Sequence, residues 1–197
     1  STIFQNHRFD LEGGSFWRLN IRDTTENWMF HHSPYGDFLK SIGKSPSSIF
    51  ARLMLIELGK WYHLHDWIPE FNDKWVPKFS STGPYWSISH TEEQVFVWFS
   101  LHQPIGVDIE KITMRDSSVF SLFSDSEYHT FGGKHWENFY KLWTIKESCL
   151  KAHLGKLDDM ANYRFIPVSD SIQGIWEISQ RSWRNDTRTY TTTNEGY

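Results

Sequence analysis

The alternation of apolar and polar positions predicts a short β-strand over residues 105–110. Successive side chains of a strand point to opposite faces. One face of this strand is therefore apolar, and the other carries the carboxylates of Asp108 and Glu110. Two carboxylates side by side repel each other, so such a pair usually accompanies a bound cation or a charged partner.

A helical pattern of apolar positions follows further along the chain. Its apolar surface begins after Asn138, which we expect to cap the helix, and the pattern ends near Gly155. Glu147 and Lys151 lie four residues apart, so both side chains lie on one face of this helix. This face of the helix therefore carries the carboxylate of Glu147 and the ammonium group of Lys151.

An earlier segment has the signals of an amphipathic helix start. Ser45 is a cap candidate, Pro46 suits the first turn, and the apolar pattern ends near Gly59. Ser124 and Glu127 have the spacing of a capping box, so we expect another helix to begin there. Arg52 lies in the first of these helices, where a surface position is the default expectation.

Several other segments alternate well enough to be strands. We expect strands at 16–21 and 95–99, and closing antiparallel strands at 163–166, 174–178 and 187–193. A corner at Gln103-Pro104 separates the strand 95–99 from the strand that carries Asp108. His90 and Asp108 are therefore expected at the ends of neighbouring antiparallel strands.

If the later helix packs beside the strand 105–110, three carboxylates come together. Asp108, Glu110 and Glu147 then form an oxygen-rich site for a hard cation, Mg²⁺ or Mn²⁺, flanked by Lys146 and Lys151. Simpler interpretations exist for each motif alone. An Asp-x-Glu strand is often only a solvated face, and a Glu/Lys pair at this spacing is often only a helix salt bridge.

Composition limits the class of protein. The 197 residues are 39% hydrophobic and 17% aromatic, with 11 Trp, which favours a packed globular core. The net charge of −4 gives no support for nucleic-acid binding. The single cysteine, Cys149, excludes an internal disulfide. The sequence contains neither an apolar run of membrane-spanning length nor a signal-peptide pattern, so we expect a cytoplasmic protein.

Four ordered motifs resemble a known family. They are Ser87-Ile-Ser-His90, Ile105-Gly-Val-Asp-Ile-Glu110, Phe123-Ser-Asp-Ser-Glu127 and Phe139-Tyr-Lys-Leu-Trp-Thr-Ile-Lys-Glu-Ser-Cys-Leu-Lys151. Their order and spacing look like those of the 4'-phosphopantetheinyl transferases of the surfactin-synthetase-activating type. The resemblance covers about residues 47–166.

The resemblance implies a fold and a reaction. The fold is α+β, with two pseudo-symmetric halves of antiparallel sheets and packed helices, here 1–101 and 102–197. The reaction moves the 4'-phosphopantetheine arm of coenzyme A to a serine of an acyl or peptidyl carrier protein and leaves 3',5'-ADP. The resemblance further implies Mg²⁺ dependence and a monomer. The net charge and the lack of a membrane-spanning apolar run add the expectation that neither nucleic acid nor a membrane is a partner.

The resemblance also implies roles for single residues. Asp108, Glu110 and Glu147 hold the metal ion, and Glu147 takes the serine proton, directly or through water. Lys151 meets the charge that develops on the bridging oxygen. The remaining expected contacts to coenzyme A come from Arg52, Ser89, His90, Asp108 and Lys146.

Two other functions remain open from the sequence. Paired carboxylates with a lysine also serve Mg²⁺-dependent phosphodiester cleavage, although the sequence shows no basic groove. A non-enzymatic adaptor could keep the scaffold and bind carrier domains or coenzyme A without transfer. The presence of Asp108, Glu147 and Lys151 together counts against the adaptor.

Overall fold

The computed structural model describes residues 8–11, 14–20, 34–73, 76–79, 84–102, 104–155, 160, 163–166, 175–180 and 187–191, with side-chain surroundings given only between residues 34 and 160. By its contacts the chain divides into two compact units, Ser1–Pro104 and Ile105–Tyr197. The sequence places the division after residue 101, and that assignment of the domains stays a prediction.

In its described residues, the first unit combines a sheet with two helices. Among the described residues its sheet has the order β1-β2-β4-β3, formed by β1 (Arg8–Leu11), β2 (Gly14–Asn20), β3 (Tyr85–His90) and β4 (Gln94–Ser100), and every pairing is antiparallel. The helices are α1 (Pro34–Ser41) and α2 (Pro46–Trp61). Helix α2 packs against β3 and β4, which places the end of β3 close to the start of this helix.

Helix α2 begins where its sequence predicts. The Ser45 hydroxyl accepts a hydrogen bond from the Ser48 amide, and Pro46 fills the first turn. Buried apolar side chains of α2 and the sheet form the core of this unit, including Phe50, Leu53, Met54, Leu58, Trp86, Val95, Val97 and Phe99. The predicted start at Ser45-Pro46 is confirmed.

The second unit is also α+β. It contains β5 (Val107–Asp108), a 3-10 helix (Ser117–Leu122), α3 (Asp125–Thr130), α4 (Trp136–His153), β6 (Tyr163–Ile166), β7 (Ile175–Gln180) and β8 (Thr187–Thr191). The described strands form a sheet in the order β5-β8-β7-β6, and α4 packs against β5 and β8. The α+β class is confirmed, whereas the pseudo-symmetry of the halves stays a prediction.

Strand pairing in the second unit corrects one expectation. The strand that carries Asp108 is shorter than predicted and pairs in parallel with β8, while β6, β7 and β8 pair antiparallel as expected. His90 lies in β3, whose neighbour is β4. The prediction that His90 and Asp108 end neighbouring antiparallel strands was wrong, because β5 takes its partner from the end of the chain.

Helix α4 begins earlier than its sequence predicts. His135 occupies the N-cap position, without a side-chain cap hydrogen bond. Asn138 is buried inside the helix and donates hydrogen bonds to the carbonyl oxygens of Phe131 and Gly133. The prediction of an Asn138 cap was wrong, because its amide ties the helix to the preceding turn instead.

Helix α3 has the predicted capping box, in which Ser124 and Glu127 satisfy each other's backbone amides.

Within the described part of the chain, no helix combines the length and the apolar character that crossing a bilayer requires.

Candidate active site

A glycine sets the distance between β5 and α4. A Cβ atom built on Gly106 would lie 1.7 Å from the Ser148 carbonyl oxygen and 2.7 Å from the Ala152 amide nitrogen. Both atoms belong to the backbone of α4, so a side chain at 106 would push the two elements apart. The close approach places the segment of Asp108 beside the helical turn between Glu147 and Lys151.

Asp108 and Lys151 form an ion pair at this contact. The Lys151 Nζ donates a hydrogen bond of 2.6 Å to the Asp108 Oδ1, and the Asp108 side chain is only 6% exposed. A buried carboxylate needs an opposite charge or hydrogen bonds to remain ionised. The simpler interpretation of the Asp-x-Glu motif as a solvated face therefore does not apply to Asp108.

Glu147 has a perturbed carboxyl group. Burial raises the pKa of Glu147, and the charges of Asp108 and Glu110 raise this pKa further, while the Lys151 ammonium lowers it. These interactions require Glu147 to lie within Coulombic reach of all three side chains. A carboxylate with a raised pKa accepts a proton more readily than an ordinary glutamate does.

Glu110 belongs to the same electrostatic group. Burial and the Asp108 charge raise the pKa of Glu110, whereas Arg115, Lys151 and a hydrogen bond with Trp143 oppose this rise. The Arg115 Nη2 lies 3.8 Å from the Glu110 Oε2. Asp108, Glu110 and Glu147, named below the carboxylate trio, therefore share one electrostatic environment with Lys151.

The carboxylate trio has the donor chemistry of a hard-cation site. Carboxylate oxygens are the protein ligands that Mg²⁺ and Mn²⁺ prefer. Within the part of the chain that the structure describes, however, no three His, Cys, Asp or Glu side chains converge as a metal-binding group. The chemistry of the residues fits such a cation, and their role as its ligands stays a prediction.

Lys146 is occupied by a different partner. Its Nζ pairs with the Glu127 Oε1 of α3 and lies 5.0 Å from the centroid of the Phe123 ring, and its side chain is 4% exposed. Burial tends to raise the pKa of Glu127, but hydrogen bonds from Lys146 and Ser124 outweigh burial and leave this pKa below its usual value. The predicted phosphate contact of Lys146 stays a prediction.

In the first unit, His90 contacts the start of α2. The Ser47 Oγ lies 3.1 Å from the His90 Nδ1, and the preceding residue, Ser89, is buried. This hydrogen bond fixes the orientation of the imidazole ring. A polar group thus lies where β3 ends beside the helix N-terminus.

Arg52 is buried on the same helix, which corrects the default expectation of a surface position. Its Nη1 donates to the Ser48 carbonyl oxygen at 2.9 Å and lies 2.5 Å from the Ser48 Oγ. Its guanidinium lies 4.7 Å from the centroid of the Phe71 ring, and burial lowers the pKa of Arg52. Its contact to coenzyme A stays a prediction.

Sequence reasoning missed several partners of these residues. Ser47, Arg115 and Trp143 contact His90 or Glu110, and Glu127 has a second role beyond the capping box as the partner of Lys146. Only Ser47 had a local signal, because it lies beside the predicted cap of α2. The other contacts join segments that are distant in sequence, so no periodic pattern could indicate them.

Comparison with protein families identifies the segment that carries the carboxylate trio. The model of the 4'-phosphopantetheinyl transferase superfamily matches residues 104–195, just under half of the chain. This segment is therefore similar to the 4'-phosphopantetheinyl transferase superfamily. The match contains Asp108, Glu110, Glu147 and Lys151, and it confirms the resemblance seen in the motifs.

Individual transferases are similar to parts of the chain. The 4'-phosphopantetheinyl transferase gsp of Aneurinibacillus migulanus is 39% identical over 77 residues, which cover 36% of this chain and 32% of that protein. The 4'-phosphopantetheinyl transferases AcpT of Salmonella typhimurium and Salmonella typhi are each 26% identical over 123 residues, which cover 57% of this chain and 62% of theirs. The chain thus spans less than two thirds of the length of these relatives.

Proposed function

We propose that this protein transfers the 4'-phosphopantetheine arm of coenzyme A to a serine of an acyl or peptidyl carrier protein. The observation that carries the proposal is the carboxylate trio with Lys151, located within the segment that the model of the transferase superfamily matches. The curated relatives that are similar to this chain are named as 4'-phosphopantetheinyl transferases. The products are the holo-carrier protein and 3',5'-ADP.

The reaction is a phosphoryl transfer. The carrier serine oxygen forms a bond to the phosphorus that bears the pantetheine arm, and the bond from that phosphorus to the bridging oxygen breaks. Such a step depends on alignment and on charge stabilisation more than on covalent help from the enzyme. The serine proton must leave, and negative charge develops on the bridging oxygen of 3',5'-ADP.

Glu147 is the proposed acceptor of the serine proton, either directly or through a water molecule that it binds. In the protein without a bound cation, burial and the charges of Asp108 and Glu110 raise the pKa of Glu147 toward the working pH. A cation bound by Glu147 would lower this pKa, and transfer of the proton through water is the route that a weaker base would use. Lys151 is the proposed donor to the bridging oxygen, since a cationic hydrogen-bond donor stabilises charge that develops there. Both side chains lie on one face of α4.

A divalent cation belongs to the proposal. Asp108, Glu110 and Glu147 are the residues that would hold Mg²⁺ or Mn²⁺, which supplies charge neutralisation to the pyrophosphate. The chemistry of the donor set supports this assignment. In the first unit, Arg52, Ser89 and His90 are the proposed contacts to the phosphates of coenzyme A, and Lys146 is a further proposed contact in the second unit.

The same proposal includes the setting in which the enzyme works. Two pseudo-symmetric halves and action as a monomer are proposed from the resemblance to the family. A cytoplasmic location is proposed from the sequence, in which we found neither a membrane-spanning apolar run nor a signal-peptide pattern. Coenzyme A and carrier proteins are the partners, and no nucleic acid or membrane takes part.

The consumption of coenzyme A distinguishes the proposal from its two alternatives. The protein is incubated with coenzyme A and Mg²⁺, with and without apo carrier proteins, and 3',5'-ADP is quantified by liquid chromatography. A transferase forms 3',5'-ADP only when an apo carrier is present. A phosphodiesterase forms it without any carrier, and an adaptor forms none while still binding coenzyme A.

A further inference from the structure

Lys151 carries the positive charge that interacts with every member of the carboxylate trio. Its Nζ contacts the buried Asp108 at 2.6 Å. The same ammonium acts on the carboxyl groups of Glu110 and Glu147. The Lys151 ammonium thus lies within Coulombic reach of all three carboxylates.

The fold fixes this position of Lys151. Glu147 and Lys151 are one helical turn apart on α4. The close approach at Gly106 holds the Asp108 segment against that turn, because Ser148 and Ala152 leave no room for a side chain. The Lys151 side chain is only 31% exposed, so its ammonium is partly shielded from competing solvent.

We propose that Lys151 is the built-in counter-charge of the carboxylate trio and that a divalent cation competes with its ammonium for Asp108. Binding of the cation and departure of Lys151 from Asp108 are then one event. The departing ammonium becomes available to a phosphate oxygen of the substrate only when the cation is bound. This inference rests on the proposed transferase function, because that function supplies the cation.

Electrostatics supports an exchange of this kind. Three carboxylates close together repel one another, and Lys151 compensates only part of their charge. Arg115 is a second cation near the trio, and its Nη2 lies 3.8 Å from the Glu110 Oε2. A divalent cation has twice the charge of an ammonium group, so it can replace Lys151 at the trio while the lysine moves to another anion.

The affinity for Mn²⁺ in the absence of coenzyme A and carrier protein tests the exchange. The full chain and its variant Lys151→Met are titrated with Mn²⁺ by electron paramagnetic resonance. The variant is expected to bind Mn²⁺ about tenfold more tightly, because a competing unit charge a few ångströms away is removed. Equal or weaker binding by Lys151→Met, or no binding at all, would overturn the proposal.

Two further variants serve as controls for this titration. Lys141→Met removes a lysine of the same helix that pairs with Glu137 at 2.7 Å, and it is expected to leave the Mn²⁺ affinity unchanged. Lys151→Arg keeps the charge and is expected to bind Mn²⁺ like the native protein. Tighter binding by Lys141→Met would show a general charge effect and would contradict competition at Asp108.

A second measurement needs no substitution at Lys151. Reductive methylation of the native protein, with each lysine followed by mass spectrometry, reports how accessible each amine is. Saturating Mn²⁺ is expected to increase the labelling rate of Lys151 and to leave that of Lys141 unchanged. A Lys151 rate that stays constant or falls with Mn²⁺ would contradict its departure from Asp108.

The experiments distinguish two proposals: the competition between a divalent cation and Lys151 for Asp108, and the transfer of the phosphopantetheine arm. A protein that binds Mn²⁺ as expected but transfers nothing to any carrier would refute the transferase function and keep the competition at Asp108. A protein that transfers the arm but shows the same Mn²⁺ affinity with and without the Lys151 ammonium would refute only the exchange.

Discussion

At the scale of single residues, Glu147 differs chemically from Glu137, the other glutamate of α4. Glu137 is exposed and pairs with Lys141 at 2.7 Å, and this hydrogen bond lowers the pKa of Glu137. Glu147 is partly buried beside two further carboxylates, and its pKa is raised. The same residue type on one helix therefore serves as a surface ion pair at one end and as a candidate proton acceptor further along.

Replacement of Glu147 by Gln tests its proposed role. The Glu147→Gln variant keeps the shape of the side chain but cannot accept the serine proton, so we expect transfer to a carrier protein to fall at least about a hundredfold. The far-UV circular dichroism spectrum and the unfolding midpoint should stay close to those of the native protein. Glu137→Gln is the matched control and should transfer normally. Near-normal transfer by Glu147→Gln would remove Glu147 from the mechanism.

A buried tyrosine hydroxyl is a second residue with a measurable consequence. Tyr128 is 1% exposed, and among the described residues no group hydrogen-bonds its Oη. Burial, together with the charge of Glu127, raises the pKa of Tyr128 to about 12. A buried hydroxyl without a partner costs free energy, so the position favours an apolar ring.

The Tyr128→Phe variant is expected to unfold at the same or a higher denaturant concentration at pH 8. The raised pKa means that the folded state holds the phenolic proton more tightly than the unfolded state does. This contribution to stability is complete below pH 10 and is lost as the pH rises toward 12. Urea unfolding measures the free energy of unfolding at pH 8 and at pH 11. Between these two pH values, this free energy should therefore fall less for Tyr128→Phe than for the native protein. An equal loss in both would show that Tyr128 does not titrate as described.

At the scale of elements, a buried ion pair joins α3 to α4. Glu127 lies in the first turn of α3, and Lys146 lies on α4 directly before Glu147. The pair therefore restrains the rotation of the helix that carries Glu147 and Lys151. Phe123, which lies under the Lys146 ammonium, completes this contact.

Removal of one charge from this pair should destabilise the second unit. Glu127→Gln keeps the capping box but leaves the Lys146 ammonium buried opposite a neutral group, at an expected cost of about 2 to 3 kcal/mol in the free energy of unfolding. The double variant Glu127→Gln with Lys146→Met should recover part of that cost, because it removes the unpaired buried ammonium group. Glu137→Gln, which breaks an exposed pair, should cost less than about 0.5 kcal/mol. If the double variant loses as much free energy of unfolding as Glu127→Gln and Lys146→Met lose together, the two charges do not interact.

Local signals predicted the helices better than the strands. The hydrogen bond from the Ser48 amide to the Ser45 hydroxyl and the box of Ser124 and Glu127 form within a few residues, so the sequence contains both partners side by side. The partner of β5 is β8, which lies near the other end of the chain. An alternating pattern indicates a strand but not its neighbour, and the predicted antiparallel neighbourhood of the strands that carry His90 and Asp108 was wrong for that reason.

The candidate site likewise has features that the sequence predicted and features that it could not predict. The i,i+4 spacing of Glu147 and Lys151 and the Asp-x-Glu alternation could be predicted, because they depend only on helix and strand geometry. That Lys151 contacts Asp108 while Lys146 turns to Glu127 depends on how α4 packs. Two lysines of one helix, Lys146 and Lys151, thus have different partners, and no sequence pattern distinguishes them.

At the scale of the whole molecule, the two units contribute different chemistry. The second unit carries the carboxylate trio and matches the transferase superfamily from residue 104 onward. The first unit carries the buried Arg52 and the contact between Ser47 and His90. Phosphoryl transfer needs both substrate positioning and charge stabilisation, and we propose that the first unit serves the former and the second the latter.

The mass of a carrier protein after reaction tests the proposed function most directly. Purified apo carrier proteins of fatty-acid, polyketide and peptide synthesis are incubated with this protein, coenzyme A and Mg²⁺, and their intact masses are measured, with EDTA as the control. We expect at least one carrier to gain a single phosphopantetheine on its serine, and EDTA to prevent the gain. If no carrier gains mass although the protein is folded and coenzyme A is present, the transferase function is wrong.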